Sequence, residues 1–398
     1  MLRQEENMSK NNINRVGVFC FYDRDGVVSK YVEYILEEIQ KSITKLYIVI
    51  NGNITEKGKR QLGKYSSDIY QRENMGFDGG AYADFFMKYI DYSEMGVWDE
   101  VVIFNDTFFG PFIPFTDIFS AMESEEVDFW GLRCIDVNTY KYIESYFIVF
   151  RNKIIKTGDL LYFFRTNYKY MHNATFHETC AVFERGLFGY LVNKGYTYGS
   201  YVKDTRYNAY LEADVNIIKC GLPLLKKKCL DFNRYKKSIV DTCIDYILKN
   251  TDYDVNMIYE YYMRVYGETY IYEEINYNLV SSRMSGAIPI PAYDVSEEMI
   301  VRFLESNPDI YIYGAGMRGG GLWWNYKYRI KNMKGFVVTE KDNENDYFGV
   351  PIYSVDDIPG NSNIIVALSQ IDTKEVAPMI LDKHNILFLY SINRAKNS

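Results

Sequence analysis

Apolar residues come in blocks along this chain, and the blocks switch between strand-like and helix-like periods. Val16-Gly17-Val18-Phe19-Cys20-Phe21-Tyr22 is an unbroken apolar run that stops at Asp23-Arg24-Asp25-Gly26, the pattern of a buried strand ending in a turn. Residues 29–43 then place Tyr31, Ile35, Leu36 and Ile39 on one face of a helix. A second strand is expected over Leu46-Tyr47-Ile48-Val49-Ile50, closed by Asn51-Gly52-Asn53. The spacing further predicts a helix over 56–65, a short strand over 68–72, a helix over 81–90 and a strand over 100–104. Strands alternating with helices predict an α/β fold with a parallel sheet and right-handed crossovers.

Beyond Trp130 the pattern is mixed. A strand is expected over 145–150 and helices over 156–164 and 177–194, the last stopped by Gly195. Residues 235–270 carry Ile239, Cys243, Ile247, Met257, Tyr261 and Val265 at near-helical spacing and read as a connector. The stretch 289–293 and a Ser296 cap, with Glu297 and Glu298 in the first turn, open a carboxy-terminal unit. There Ile310-Tyr311-Ile312-Tyr313 leads into Gly314-Ala315-Gly316-Met317-Arg318-Gly319 and a helix over 320–330, with further strands at 335–338, 364–368 and 386–390. The expected organisation is an α/β domain over 15–235, a helical connector over 236–296 and a small Rossmann-like domain over 297–398.

Composition narrows the function classes. Apolar residues at 47% and charged residues at 25% describe an ordinary globular chain, and a net charge of −8 argues against a nucleic-acid partner. The six cysteines form no C-x-x-C pair, so neither a zinc site nor a disulfide framework is expected, in keeping with a reduced, cytoplasmic setting. Residues 1–15 are polar and no stretch nears the ~20 apolar residues of a membrane span, so contact with a membrane would be peripheral. The 39 tyrosines suit sugar-binding clefts, though many must pack in cores.

Chemistry concentrates between residues 72 and 131. Arg72-Glu73-Asn74-Met75-Gly76-Phe77-Asp78-Gly79-Gly80 has glycines that let backbone approach a ligand; Val101-Val102-Ile103-Phe104-Asn105-Asp106-Thr107 puts a carboxylate at the end of a buried strand; Asp128-Phe129-Trp130-Gly131 follows. Together these motifs, in order and spacing, resemble the rhamnan synthesis protein F family of bacterial glycosyltransferases over roughly residues 15–235. The resemblance implies a GT-A-like fold, a nucleotide-sugar donor, dTDP-L-rhamnose, and a lipid-linked polysaccharide acceptor at the inner face of the cell membrane.

Residue by residue, the resemblance implies that Asn74, Gly76 and Asp78 lie beside the nucleotide sugar, with Tyr22, Asp23 and Asn51 lining the base and ribose pocket. Asp78 also reads as an N-cap for the helix beginning near Ala81. GT-A enzymes carry an Asp-x-Asp motif where this chain has Asn105-Asp106-Thr107, so Asp106 is the candidate ligand for Mg2+ or Mn2+, or a contact to the donor itself. The competing reading is that Asp106 caps the turn before Gly110-Pro111. Trp130 is either a platform closing the donor site or core.

The stretch from His177-Glu178 through Phe183-Glu184-Arg185 resembles the helix that carries the catalytic carboxylate in inverting family 2 glycosyltransferases. Glu184 and Glu178 are the two candidate bases, against the reading of an exposed helix charge. Gly314, Gly316 and Gly319 occupy the strand-to-helix context of a phosphate loop, with no redox cofactor expected. Two readings compete with glycosyl transfer: a non-catalytic sugar-nucleotide-binding scaffold, favoured by Asn105 in place of Asp, and a nucleotide-dependent oxidoreductase centred on the Gly314 loop.

Overall fold

In the computed structural model, which describes residues 13–90, 92–137, 140–274, 294–342 and 344–390, the apolar runs become strands of two separate sheets. The stretch 289–293 that opens the carboxy-terminal unit, and much of the connector's far end, lie outside the described residues. In the first sheet, β1 (Arg15–Phe21) lies between β2 (Lys45–Asn51) and β4 (Glu100–Asn105), with β3 (Asp68–Arg72) outside β2, all parallel. Both faces of β1 and β4 are covered, which is why their runs are continuously apolar rather than alternating.

Past β4 the sheet turns from parallel to mixed. After the two-residue strand β5 (Phe108–Phe109), the chain enters β6 (Phe129–Val137), β7 (Tyr140–Ile143) and β8 (Phe147–Arg151), and β8 pairs antiparallel with β4. The Asn105 amide donates to the Tyr146 carbonyl. Residues just before β8 therefore cross the carboxyl end of β4. The sheet order is β3-β2-β1-β4-β8-β6-β7, with β9 (Tyr198–Val202) added parallel to β6.

Helices follow the predicted stripes. Helix α1 (Lys30–Gln40) buries Tyr31, Val32, Ile35, Leu36 and Ile39, and α2 is Glu56–Leu62. Helix α3 (Phe77–Asp84) begins four residues ahead of the expected Ala81. Gly76 makes this early start workable: its φ is +69°, and a Cβ there would fall 1.8 Å from the Met171 carbonyl oxygen. Asp78 thus sits inside the first helical turn instead of capping it. The helices Lys237–Asn250 and Asn256–Tyr266, read as a connector, are part of the first sheet's core, because Val240, Cys243, Ile244, Ile247 and Ile258 need an apolar partner.

The second sheet holds β11 (Asp309–Tyr313), β12 (Asn332–Val338), β13 (Asp346–Tyr347), β14 (Val350–Ser354), β15 (Asn363–Val366) and β16 (Asn385–Phe388), in the order β13-β14-β12-β11-β15-β16. All of its pairings but the β13–β14 edge are parallel, a Rossmann-like layout. The Ser296 hydroxyl accepts the Met299 amide, as its sequence position predicts.

The two sheets are bolted together. Trp324, on the helix Met317–Tyr326 after β11, is fully buried within the first unit's core, among residues of the run 180–191. Gly186 leaves it room: a Cβ there would meet the Trp324 ring at 2.8 Å. Lys141 pairs with Glu297 at 3.0 Å, and Lys327 donates to the Asn167 side chain at 3.1 Å. Emptying so large a buried site costs about 3–5 kcal/mol. Trp324→Ala is therefore expected to lower unfolding free energy by about that much in denaturant titration; an unchanged midpoint would mean the two units do not stabilise each other through this ring.

Candidate active site

A cavity of about 710 Å3 opens at the carboxyl ends of β1, β2 and β4, where open α/β sheets hold their ligands. Its walls come from the turns after those strands, from residues 142–146 ahead of β8, from the helical run 176–184, and from residues 226–235 and 261–266.

Asp106 lies at its floor, buried. One carboxylate oxygen accepts from Lys227 Nζ at 2.7 Å and from the Tyr31 hydroxyl at 3.0 Å, and the other from the Tyr22 amide at 3.3 Å. Asn105, where GT-A enzymes carry an acid, donates its side-chain amide to Asp78 at 3.0 Å and takes both the amide and the hydroxyl of Thr107 on its Oδ1. The Asn-Asp pair is thus braced on every side.

Opposite stands Glu184, on a π-helical turn, Cys180–Arg185, that interrupts the helix between Phe176–Thr179 and Gly186–Asn193. Such turns often mark functional sites. Ser145 joins the two acids of this wall: its amide donates to Glu184 at 3.0 Å and its hydroxyl to Asp78 at 3.0 Å. Burial, with the Asp78 and Glu144 charges nearby, pushes the Glu184 carboxyl up to about 7, against the opposing pull of the Ser145 amide. Across the cavity Lys226 is buried with its Nζ on the Thr107 hydroxyl at 2.7 Å, and desolvation draws its ammonium down to about 8.

The expected residues divide. Tyr22, Asp23, Asn51, Asn74, Asp78, Asn105, Asp106 and Glu184 all line the cavity. Asn51 faces its edge through a bond to the Phe77 carbonyl at 2.8 Å. Burial raises the Asp23 pKa, but the Arg264 guanidinium and the amides of Val27 and Asp25 outweigh it and hold the carboxyl below its usual range. Gly76 shapes the loop from behind. Glu178 does not reach the cavity: its carboxylate accepts the Thr175 amide at 2.8 Å in a capping box. Trp130 is core, edge-on to Phe119 and beside Phe147. Gly314, Gly316 and Gly319 belong to the second sheet and lie apart from the cavity, with Gly319 close against the Gly314 carbonyl.

Lys226, Lys227 and Lys228, a basic triplet to which the sequence assigns no role, also line the cavity, as do Tyr261 and Arg264, which carry no signal beyond helical spacing.

A divalent cation wants oxygen ligands, typically one or two carboxylates plus phosphate. Here the one acid at the strand end already holds an ammonium, and its neighbour is an amide committed to Asp78 and Thr107. Among the described residues no group of His, Cys, Asp and Glu comes together as a metal site. The donor set does not fit a metal resident on Asp106.

A sheet of order 3-2-1-4 continued by an antiparallel strand, with the cavity at its strand ends, is a GT-A-like architecture. Over residues 46–289, more than half of its length, the sequence matches the model of the family described as rhamnan synthesis protein F, and the chain belongs to that family. Among curated proteins none matches significantly. Similar solved structures include 4-diphosphocytidyl-2C-methyl-D-erythritol synthase from Anaerococcus prevotii, 12% identical over 48% of this chain and 86% of that one, with a TM-score of 0.31. Glucosyl-3-phosphoglycerate synthase from Mycobacterium tuberculosis is 9% identical over 46% of this chain and 80% of that one, with a TM-score of 0.25. These likenesses are too remote to bear on chemistry.

Because Glu184 keeps its proton to higher pH when folded, the folded chain binds more protons than the unfolded one between about 4.5 and about 7. Its contribution to stability therefore declines as pH rises through that window. Glu184→Gln removes the decline, so the melting temperature of the variant relative to wild type should climb from pH 4.5 to 7 and level off above. A difference that stays flat with pH would show that Glu184 titrates as an ordinary acid.

Proposed function

We propose that this protein is an inverting glycosyltransferase that moves a sugar from a nucleotide-activated donor to a growing cell-surface polysaccharide. One observation carries the reading: a single cavity sets a carboxylate raised to about 7, Glu184, against a wall of cationic side chains at the strand ends. Transfer needs both. The acceptor oxygen bonds to the anomeric carbon as its proton passes to Glu184, and the anomeric carbon–phosphate oxygen bond breaks with its electron pair leaving on the nucleoside diphosphate. Asp78, held by Asn105 and Ser145, keeps Glu184 in place through the shared serine and raises its basicity.

The family's description, rhamnan synthesis, supports rhamnose as the sugar, and with it the reading takes dTDP-L-rhamnose as the donor and a lipid-linked polysaccharide as the acceptor. Among the described residues no helix is long and apolar enough to cross a membrane, so the reading has the protein meet its lipid-linked acceptor at the membrane surface. Chemistry is assigned to residues 15–235 together with Tyr261 and Arg264, while Trp324 and its neighbours in the carboxy-terminal unit prop the helical run that presents Glu184.

The test is transfer and donor hydrolysis with a panel of nucleotide sugars, dTDP-L-rhamnose among them. Glu184→Gln should lower kcat by about 100- to 10,000-fold while leaving donor affinity in place. Wild-type kcat/KM should rise with pH through about 7, where Glu184 of the free protein loses its proton, and the variant should lack that limb. A variant with wild-type kcat would remove Glu184 as the base, and a protein that binds a nucleotide sugar without turning it over would be a scaffold.

A further inference from the structure

Three consecutive lysines line the cavity where the fold would lead one to look for a metal. β10 (Leu225–Lys226) pairs antiparallel with β5, so Lys226 sits opposite Phe108, and the chain then turns as a single 3-10 turn over Lys227–Leu230. This ribbon holds Lys226, Lys227 and Lys228 against the carboxyl end of β4.

Their partners are unequal. Lys227 is neutralised by Asp106 at 2.7 Å and is steadied by the Tyr31 hydroxyl, also at 2.7 Å. Lys226 is buried, and among the described residues its ammonium meets the Thr107 hydroxyl and the face of Tyr146, 4.1 Å from the ring centre. Lys228 lies over the Phe176 ring at 4.2 Å. Among the described residues neither Lys226 nor Lys228 has a carboxylate within ion-pair distance, although both face the cavity. A buried ammonium with no carboxylate in contact is costly, and the Glu144, Glu184 and Asp78 charges farther off offset the desolvation of Lys226 only in part. An anion entering the cavity would remove that cost, and a diphosphate brings charge to match more than one lysine.

We propose that Lys226, Lys227 and Lys228 form a metal-free clamp for the diphosphate of a nucleoside diphosphate donor. This rests on the glycosyltransferase reading. In it the ammonium groups take the departing negative charge that a divalent cation would otherwise take, as preorganised cations in an enclosed site can. Asp106 is then a positioning residue, which orients Lys227 and Tyr31 and binds no metal itself.

Isothermal titration of the full-length protein with UDP, dTDP and GDP, in EDTA and again in magnesium, tests this. At least one nucleotide should bind, with a dissociation constant that changes less than about threefold between the two buffers. Lys226→Met with Lys228→Met should weaken it about tenfold or more and flatten its salt dependence. Lys228→Met alone, at an exposed side chain, should weaken binding in the same direction and covers the case in which the double variant does not fold. Binding that appears only with magnesium, or that survives undiminished in the folded variants, overturns the clamp and leaves the glycosyltransferase reading standing. Failure of every nucleotide to bind in either buffer overturns both.

Discussion

An ion pair on the buried Asp106 at the end of β4 organises the site. Asp106 and Lys227 are 121 residues apart in sequence, yet their charges meet at 2.7 Å in the floor of the cavity. Tyr31 donates from α1 to the same oxygen, and the Tyr22 amide reaches the other from the end of β1. One carboxylate therefore ties together the first strand, its helix, the fourth strand and the β5–β10 ribbon. A buried charge that loses its partner is far more costly than the pair is worth. The lysine triplet is accordingly held in one place, instead of sampling the solvent as a run of lysines on an exposed turn would.

The opposite wall is set by packing. The run 176–193 reaches the cavity on one face and the second sheet on the other, and two consecutive residues divide the work. Glu184 faces Ser145 in the cavity, while Arg185 turns away and donates to the Met317 carbonyl at 3.3 Å. Gly321 allows that approach, since a Cβ there would fall 1.5 Å from the Arg185 guanidinium. Trp324 fills the core behind. Among the described residues the carboxy-terminal unit thus lines no part of the cavity and still bears on it, because the helical run it supports also carries the raised carboxyl.

Helix Asn256–Tyr266 shows a similar indirect logic. Its Ile258 and Tyr262 pack into the first core, and that seating brings Arg264 onto Asp23 in the turn after β1. The turn's own amides hold the same carboxylate from inside, Asp25 at 3.0 Å and Val27 at 3.1 Å. A segment that looks like a tether in sequence closes one side of the site.

Local pattern alone was enough for β1 to β4 and β8 of the first sheet, for β11, β12, β15 and β16 of the second, for the buried stripe of α1 and for the Ser296 cap, because periodicity and capping act within a few residues. It was also enough to bring Asn105, Asp106 and Asp78 forward as polar residues beside strand ends and glycines. What only the tertiary structure decided depends on partners far along the chain. Glu178 and Glu184 are alike in sequence, and the difference between them is that one caps its own helix while the other meets Ser145, 39 residues earlier, in a desolvated wall. The antiparallel course of β8, the start of α3 at Phe77 against Met171, and the ammonium on Asp106 are of the same kind. Periodicity reports which face of an element is apolar; which charge stands opposite another, and how dry the space between them is, follows from topology, and these two quantities decide what a carboxylate at a strand end can do.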